Sequence, residues 1–122
     1  MTNVVRALQS AENRKFIWGE TIFFKMWFEV QDSETQKYVK YLIASRRFEI
    51  VGGGWVQNDE ASSSYTAIID QMTVGHQYLL ERFGIRPKVA WQIDPFGHGG
   101  VSAQLYADMV KSKKKINFLI FF

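Results

Sequence analysis

The chain is 122 residues long, 47% hydrophobic and 16% aromatic, with no cysteine. That is apolar material for one small core, and it excludes a disordered chain, a disulfide scaffold and a cysteine-based zinc site. The net charge of +3 sits at the end of the chain: Lys111, Lys113, Lys114 and Lys115 supply four of 15 basic residues, leaving residues 1–110 with 11 bases against 12 acids. A phosphate-binding face needs basic residues spread over a folded surface, so no nucleic-acid partner is expected. No apolar run approaches the ~20 residues of a membrane span. Met1–Ser10 lacks the apolar stretch and cleavage site of a signal peptide, and no Asn-x-Ser/Thr sequon is present.

Val4, Val5 and Leu8 predict the end of an amphipathic helix. Lys15–Phe24, rich in aromatic and β-branched residues, reads as a buried strand running into a turn. Ser33 with Gln36 forms a capping box that opens a helix carrying Val39, Leu42 and Ile43 on one face and ending near Arg46 and Arg47. Phe48–Val51 is a second strand, running into Gly52–Gly54. These glycines lack the G-x-G-x-x-G spacing of a phosphate loop and read as a tight turn. Tyr65, Ile68, Ile69, Met72, Leu79, Leu80 and Phe83 make one stripe of a long helix, with Gly84 as its stop and Pro87 beyond. Lys88–Ile93 predicts a third strand, broken by Pro95 and Gly97. A short helix over Val101–Val110 turns Leu105 and Met109 inward.

Strands alternating with helices predict an α/β fold: a partial parallel sheet with crossover helices. Three parallel strands with open edges read as a slice of a larger domain. In such folds functional groups gather past the C-terminal ends of the strands. There stand Glu20; then Trp55 with Asp59 and Glu60; then Asp94 with Phe96 and His98. Carboxylates beside aromatic rings suit a sugar-cleaving site. Plainer readings compete: Asp94 before Pro95 suits a turn, Asp59 and Glu60 suit a helix dipole, and Glu20 is the weakest candidate. Pro95 and Gly97 argue against a helix that would pair Asp94 with His98, so His98 reads as structural and His76 as a surface or boundary residue. Trp18, Trp27 and Trp91 read as core, and Trp55 as the indole most exposed on the rim.

Four segments carry a resemblance. RPKVAWQIDPFGH (Arg86–His98) resembles the nucleophile motif of the glycoside hydrolase family 38 α-mannosidases, and GGWVQNDEA (Gly53–Ala61) a second block of that family. Ile68–Gly84 resembles the helix between them and Arg14–Phe28 the preceding strand. The NDEA and DQMT versions resemble the lysosomal branch, and the likeness covers residues 4–109. It implies a (β/α) barrel-like catalytic domain and a zinc-dependent, retaining hydrolysis of terminal α-mannose on N-glycan oligosaccharides or glycoproteins, in a lysosome or vacuole. It further implies that Asp94 is both nucleophile and zinc ligand, and that Phe96 lines the sugar pocket.

Several features depart from the family pattern. Its His-x-Asp zinc motif has no match, and the remaining zinc histidine and acid/base Asp are expected elsewhere, leaving Asp94 alone of four ligands. Gly99 stands where the family usually has Ser. Residues 1–110 are therefore expected to be a partial catalytic domain and 111–122 a basic, apolar tail foreign to it. The 122-residue chain is expected to be inactive alone, the alternatives being a non-catalytic carbohydrate-binding or interaction fragment, or a chain that does not fold stably by itself.

Overall fold

The computed structural model describes residues 1–61 and 64–110; the expected tail of residues 111–122 lies outside them. In chain order the elements are α1 (Thr2–Gln9), β1 (Phe16–Trp18), α2 (Thr21–Glu29), α3 (Ser33–Ala44), β2 (Phe48–Ile50), α4 (Tyr65–Phe83) and α5 (Gly100–Val110). The fold is α/β, as expected. β1 and β2 pair in parallel with Phe16 opposite Phe48 and Trp18 opposite Ile50. Parallel neighbours need a crossover, and α2 and α3 provide it. Arg47, at the entry to β2, ties the crossover shut: its guanidinium donates to the carbonyls of Leu8, of Ala11 at 2.6 Å and of Arg14 at 3.3 Å.

The expected strand Lys15–Phe24 is cut short at Trp18, and the chain turns into α2. The spacing of burial explains it. Thr21, Phe24 and Phe28 are buried three and four residues apart, as on one helix face, while Phe23 and Met26 face out at 52% and 62% exposure. Phe24 is fully buried; its ring lies 5.6 Å from Phe28, 5.5 Å from Phe48 and 5.5 Å from Phe83. Val5, Leu8, Val39, Leu42, Ile43, Ile50 and Leu79 complete this core. Val5, Leu8, Val39, Leu42, Ile43 and Leu79 are positions read from the helical periodicity; of the stripe expected on α4, Tyr65 and Leu80 are instead exposed.

The cap of α3 lies one residue earlier than expected. Asp32 is the N-cap, accepting the Thr35 backbone N–H at 2.8 Å and its hydroxyl at 3.0 Å. These bonds favour the ionised carboxyl and hold its pKa below the usual value. Gln36 does not close a box on Ser33; its amide donates to the carbonyls of Phe28 and Gln31.

The third predicted strand is a correction. Lys88–Ile93 forms no ladder, and among the described residues the sheet has two strands. The glycine turn explains why: Gly52 and Gly53 take positive φ (66° and 75°), swinging the chain away after β2. What remains is one backbone bond, Gly52 N to Val89 O, at 2.6 Å.

That turn docks on α4. Trp55 N donates to the Gln71 carbonyl at 3.0 Å, and His76 Nε2 lies 2.9 Å from the Gly52 carbonyl oxygen. His76 is thus a half-buried boundary residue that holds the turn. Gly75 lets the backbones meet: a Cβ there would stand 2.5 Å from the Gly54 carbonyl carbon and 2.6 Å from Trp55 N. α4 stops at Gly84 in the left-handed conformation (φ 66°), as its sequence implied. A second, smaller core of Met72, Ala90 and Tyr106, with Met109 against it, joins α4 to α5. Among the described residues no helix is long and apolar enough to cross a membrane.

Candidate active site

The loops past the strand ends meet, as the parallel order implied. Thr21 N and Ile22 N, opening α2, donate to the carbonyls of Gly54 (3.1 Å) and Trp55 (3.0 Å). The turn after β1 therefore sits on the loop after β2. A Cβ at Gly19 would stand 2.6 Å from Gln57 Nε2 and 3.8 Å from the Trp91 ring, so the third segment reaches the same place. Glu20 is the N-cap position of α2, and its carbonyl accepts the Trp18 indole N–H at 2.6 Å.

Asp94 and Phe96 lie on an arch, Ile93–Gly99, between the third segment and α5. Both side chains are exposed, Phe96 at 71%. The arch bends at Asp94 and again at Gly97, whose φ of 131° suits glycine alone. At one end Ile93 N donates to Gln57 Oε1 at 3.3 Å; at the other, Gly99 N donates to Glu60 Oε2 at 2.8 Å. The arch also rests on the neighbouring turn, since a Cβ at Gly97 would lie 3.7 Å from that of Ala61.

Asp59 and Glu60 separate in role. Asp59 accepts the Ala61 N–H at 2.8 Å within its own turn. Glu60 reaches 39 residues ahead, to the backbone just before α5. Helix-dipole complementarity thus holds for Glu60, but toward α5 rather than the helix that follows it in sequence. His98 is exposed and, with Glu60, Trp91, Gln92 and Tyr106, lines a cavity of about 200 Å³ beneath the arch. A larger cavity of about 310 Å³, between β2 and Gly84–Lys88, contains none of the candidate residues.

The four tryptophans are all half-buried: Trp18 and Trp27 pack against the main core, and Trp55 is not set apart by exposure. Indole N–H groups seek partners at the edge of the core: that of Trp27 donates to Thr2 Oγ1 at 3.0 Å. Trp55 packs edge-on against Tyr78, with the Lys25 ammonium 5.8 Å from its ring.

Sequence reading missed the polar cluster behind the arch. Asn58 Oδ1 accepts from Gln71 Nε2 at 3.0 Å and from the Tyr106 hydroxyl at 2.9 Å, and Gln92 Nε2 donates to that hydroxyl. Burial raises the Tyr106 pKa above its usual 10.0, with the nearby Glu60 charge adding to the rise; the Asn58 and Gln92 bonds oppose it. Gln92, a polar residue inside the apolar run Val89–Ile93, was the available signal.

A zinc ion needs three or four converging protein ligands. Among the described residues no group of three His, Cys, Asp or Glu side chains converges, so they do not by themselves fit one.

Residues 1–116 match the model of the Glycosyl hydrolases family 38 N-terminal domain. The chain belongs to that family. It is 46% identical over 106 residues to alpha-mannosidase C of Dictyostelium discoideum, covering 87% of this chain and 10% of that protein. It is 48% identical over 111 residues to the lysosomal alpha-mannosidase of Bos taurus and 46% identical to that of Homo sapiens, covering 89% of this chain and 11% of each relative. The chain thus spans about a tenth of the length of these curated relatives. Among them are proteins named lysosomal alpha-mannosidase.

Proposed function

We propose that the full-length gene product is a retaining α-mannosidase, acting on terminal α-mannose of N-glycan oligosaccharides or glycoproteins in a lysosome or vacuole. In this reading the chain is a slice of a (β/α) barrel-like catalytic domain. The observation that carries it is the family match over residues 1–116, within which the motif at Arg86–His98 puts Asp94 and Phe96 on the exposed arch.

The chemistry follows from those two residues. The Asp94 carboxylate attacks the anomeric carbon as the glycosidic C–O bond breaks, and an ester joins mannose to the protein. The leaving oxygen takes a proton from a second carboxyl group, placed about 5–5.5 Å away in retaining enzymes. Water then cleaves the ester, giving its proton to that same group. The Phe96 ring offers an apolar face to the sugar. Asp94 is the one zinc ligand the motif assigns to this chain.

The single carboxylate on the arch, with no converging ligand set among the described residues, favours a second reading: a non-catalytic module that binds mannose. One experiment separates the two. The full-length gene product is assayed on a chromogenic α-mannoside, and a fluorinated, activated α-mannoside is used to trap the ester for peptide mapping. The label is expected on Asp94, and Asp94→Asn is expected to lower turnover by roughly a thousandfold or more. Full turnover in the variant would sink the nucleophile assignment. Absent turnover with metal-independent mannose binding would favour the binding module.

A further inference from the structure

The block Gln57–Glu60 is absorbed by no step of the proposed reaction, yet it touches the Asp94 arch at both ends. We propose that Glu60, backed by Gln57 and Asn58, is a positioning residue that splints the Ile93–Gly99 arch and so fixes where the Asp94 carboxylate stands; the catalytic meaning of the splint rests on the mannosidase reading above.

An exposed seven-residue arch with a glycine at its bend has many conformations available, and a nucleophile displaced by about 1 Å can lose about a hundredfold in rate. Asp94 and Phe96 face solvent, so packing does not hold them. The anchors are hydrogen bonds. Gln57 Oε1 takes the N–H immediately before Asp94, and Glu60 Oε2 takes the N–H of Gly99, immediately before α5. The second is the stronger: it is shorter, its acceptor is a carboxylate oxygen, and it lies at the positive end of the α5 dipole.

A splint must itself be rigid, and the block is tied to three neighbours. Asn58 is pinned to Gln71 of α4 and to Tyr106 of α5 through one oxygen. Val56 N donates to Gln71 Oε1 at 3.2 Å. Asp59 closes the turn on Ala61 N. Tyr106 also receives Gln92, two residues before Asp94, so a third tie reaches the arch from behind. The position of the carboxylate is thus transmitted from α4 and α5 through a run of short polar side chains.

The test uses the full-length gene product with Glu60→Ala and Glu60→Gln. Hydrogen exchange is followed in a peptide spanning residues 93–100 and in a control peptide over Phe48–Ile50. In Glu60→Ala the arch peptide is expected to exchange roughly tenfold faster while the control is unchanged. Mannoside turnover in that variant is expected to show kcat reduced roughly tenfold with KM little changed, since ground-state sugar binding is not removed. Glu60→Gln keeps an acceptor oxygen and is expected to recover most of both. Unchanged exchange in the arch peptide of Glu60→Ala, or equal acceleration in the control peptide, would overturn the splint. If the wild-type protein turns over no mannoside, the mannosidase reading fails, and the exchange comparison alone judges the splint.

Discussion

Around Phe24, ten side chains are buried against one another; around Tyr106, three are. The first region is joined by ring packing and aliphatic burial, the second by hydrogen bonds among Asn58, Gln71, Gln92 and Tyr106, with Glu60 accepting from Gly99 N beside them. Apolar packing is nondirectional and forgiving of small shifts, whereas hydrogen bonds weaken steeply with angle and distance. The chain is thus built with its stability in one place and its geometric precision in another, and the candidate nucleophile is attached to the second.

The largest effect expected from breaking this division comes from Phe24→Ala. Removing a fully buried ring that meets three other phenylalanines should cost about 3–5 kcal/mol in a denaturant titration and weaken the whole molecule. A loss well under half of that would show that the core does not carry the fold.

Tyr106→Phe tests the other region. It removes one hydroxyl and leaves the Gln92 amide without that acceptor, for about 1–3 kcal/mol. The variant also sharpens the pH response. Because the folded Tyr106 pKa is raised, its contribution is fully present below the ordinary value of 10.0 and is lost as pH rises through the folded value. Wild type should therefore lose more stability than Tyr106→Phe between about pH 9 and about pH 11; equal losses would remove Tyr106 from that account.

Asp32→Ala, on the exposed end of α3, should give the smallest effect, a slight fall in melting temperature. The folded Asp32 pKa is depressed, so the difference from wild type should be full above the ordinary carboxyl value of 3.8 and should vanish as pH falls through the folded value. A difference that persists in acid would assign the effect to something other than the charged cap.

The same division governs what the sequence could say. Helices α3 and α4 were legible because their buried residues recur at helical spacing, and Gly84 ends α4 for a reason visible in one letter. α2 was misread because Phe23 and Phe24 are adjacent aromatic residues with opposite fates, one exposed and one buried. The run Val89–Ile93 looked like a strand because apolar runs record burial; a strand also needs a neighbour, and the positive-φ glycines turned that neighbour away. At the candidate site, Asp94 and Phe96 were singled out through local motif resemblance. Glu60 was seen, but its partner was not: no pattern within a few residues reveals a bond to Gly99, or one from Tyr106 to Asn58.

Gly75 carries one more consequence. Its neighbours across the contact are backbone atoms of Gly53, Gly54 and Trp55, which cannot rotate aside as a side chain would. Every other amino acid brings a Cβ into that space. In the space of possible sequences, position 75 has an alphabet of one letter. Lineages free to drift at the exposed face of the same helix have no neutral step at this position unless the loop after β2 is rebuilt at the same time.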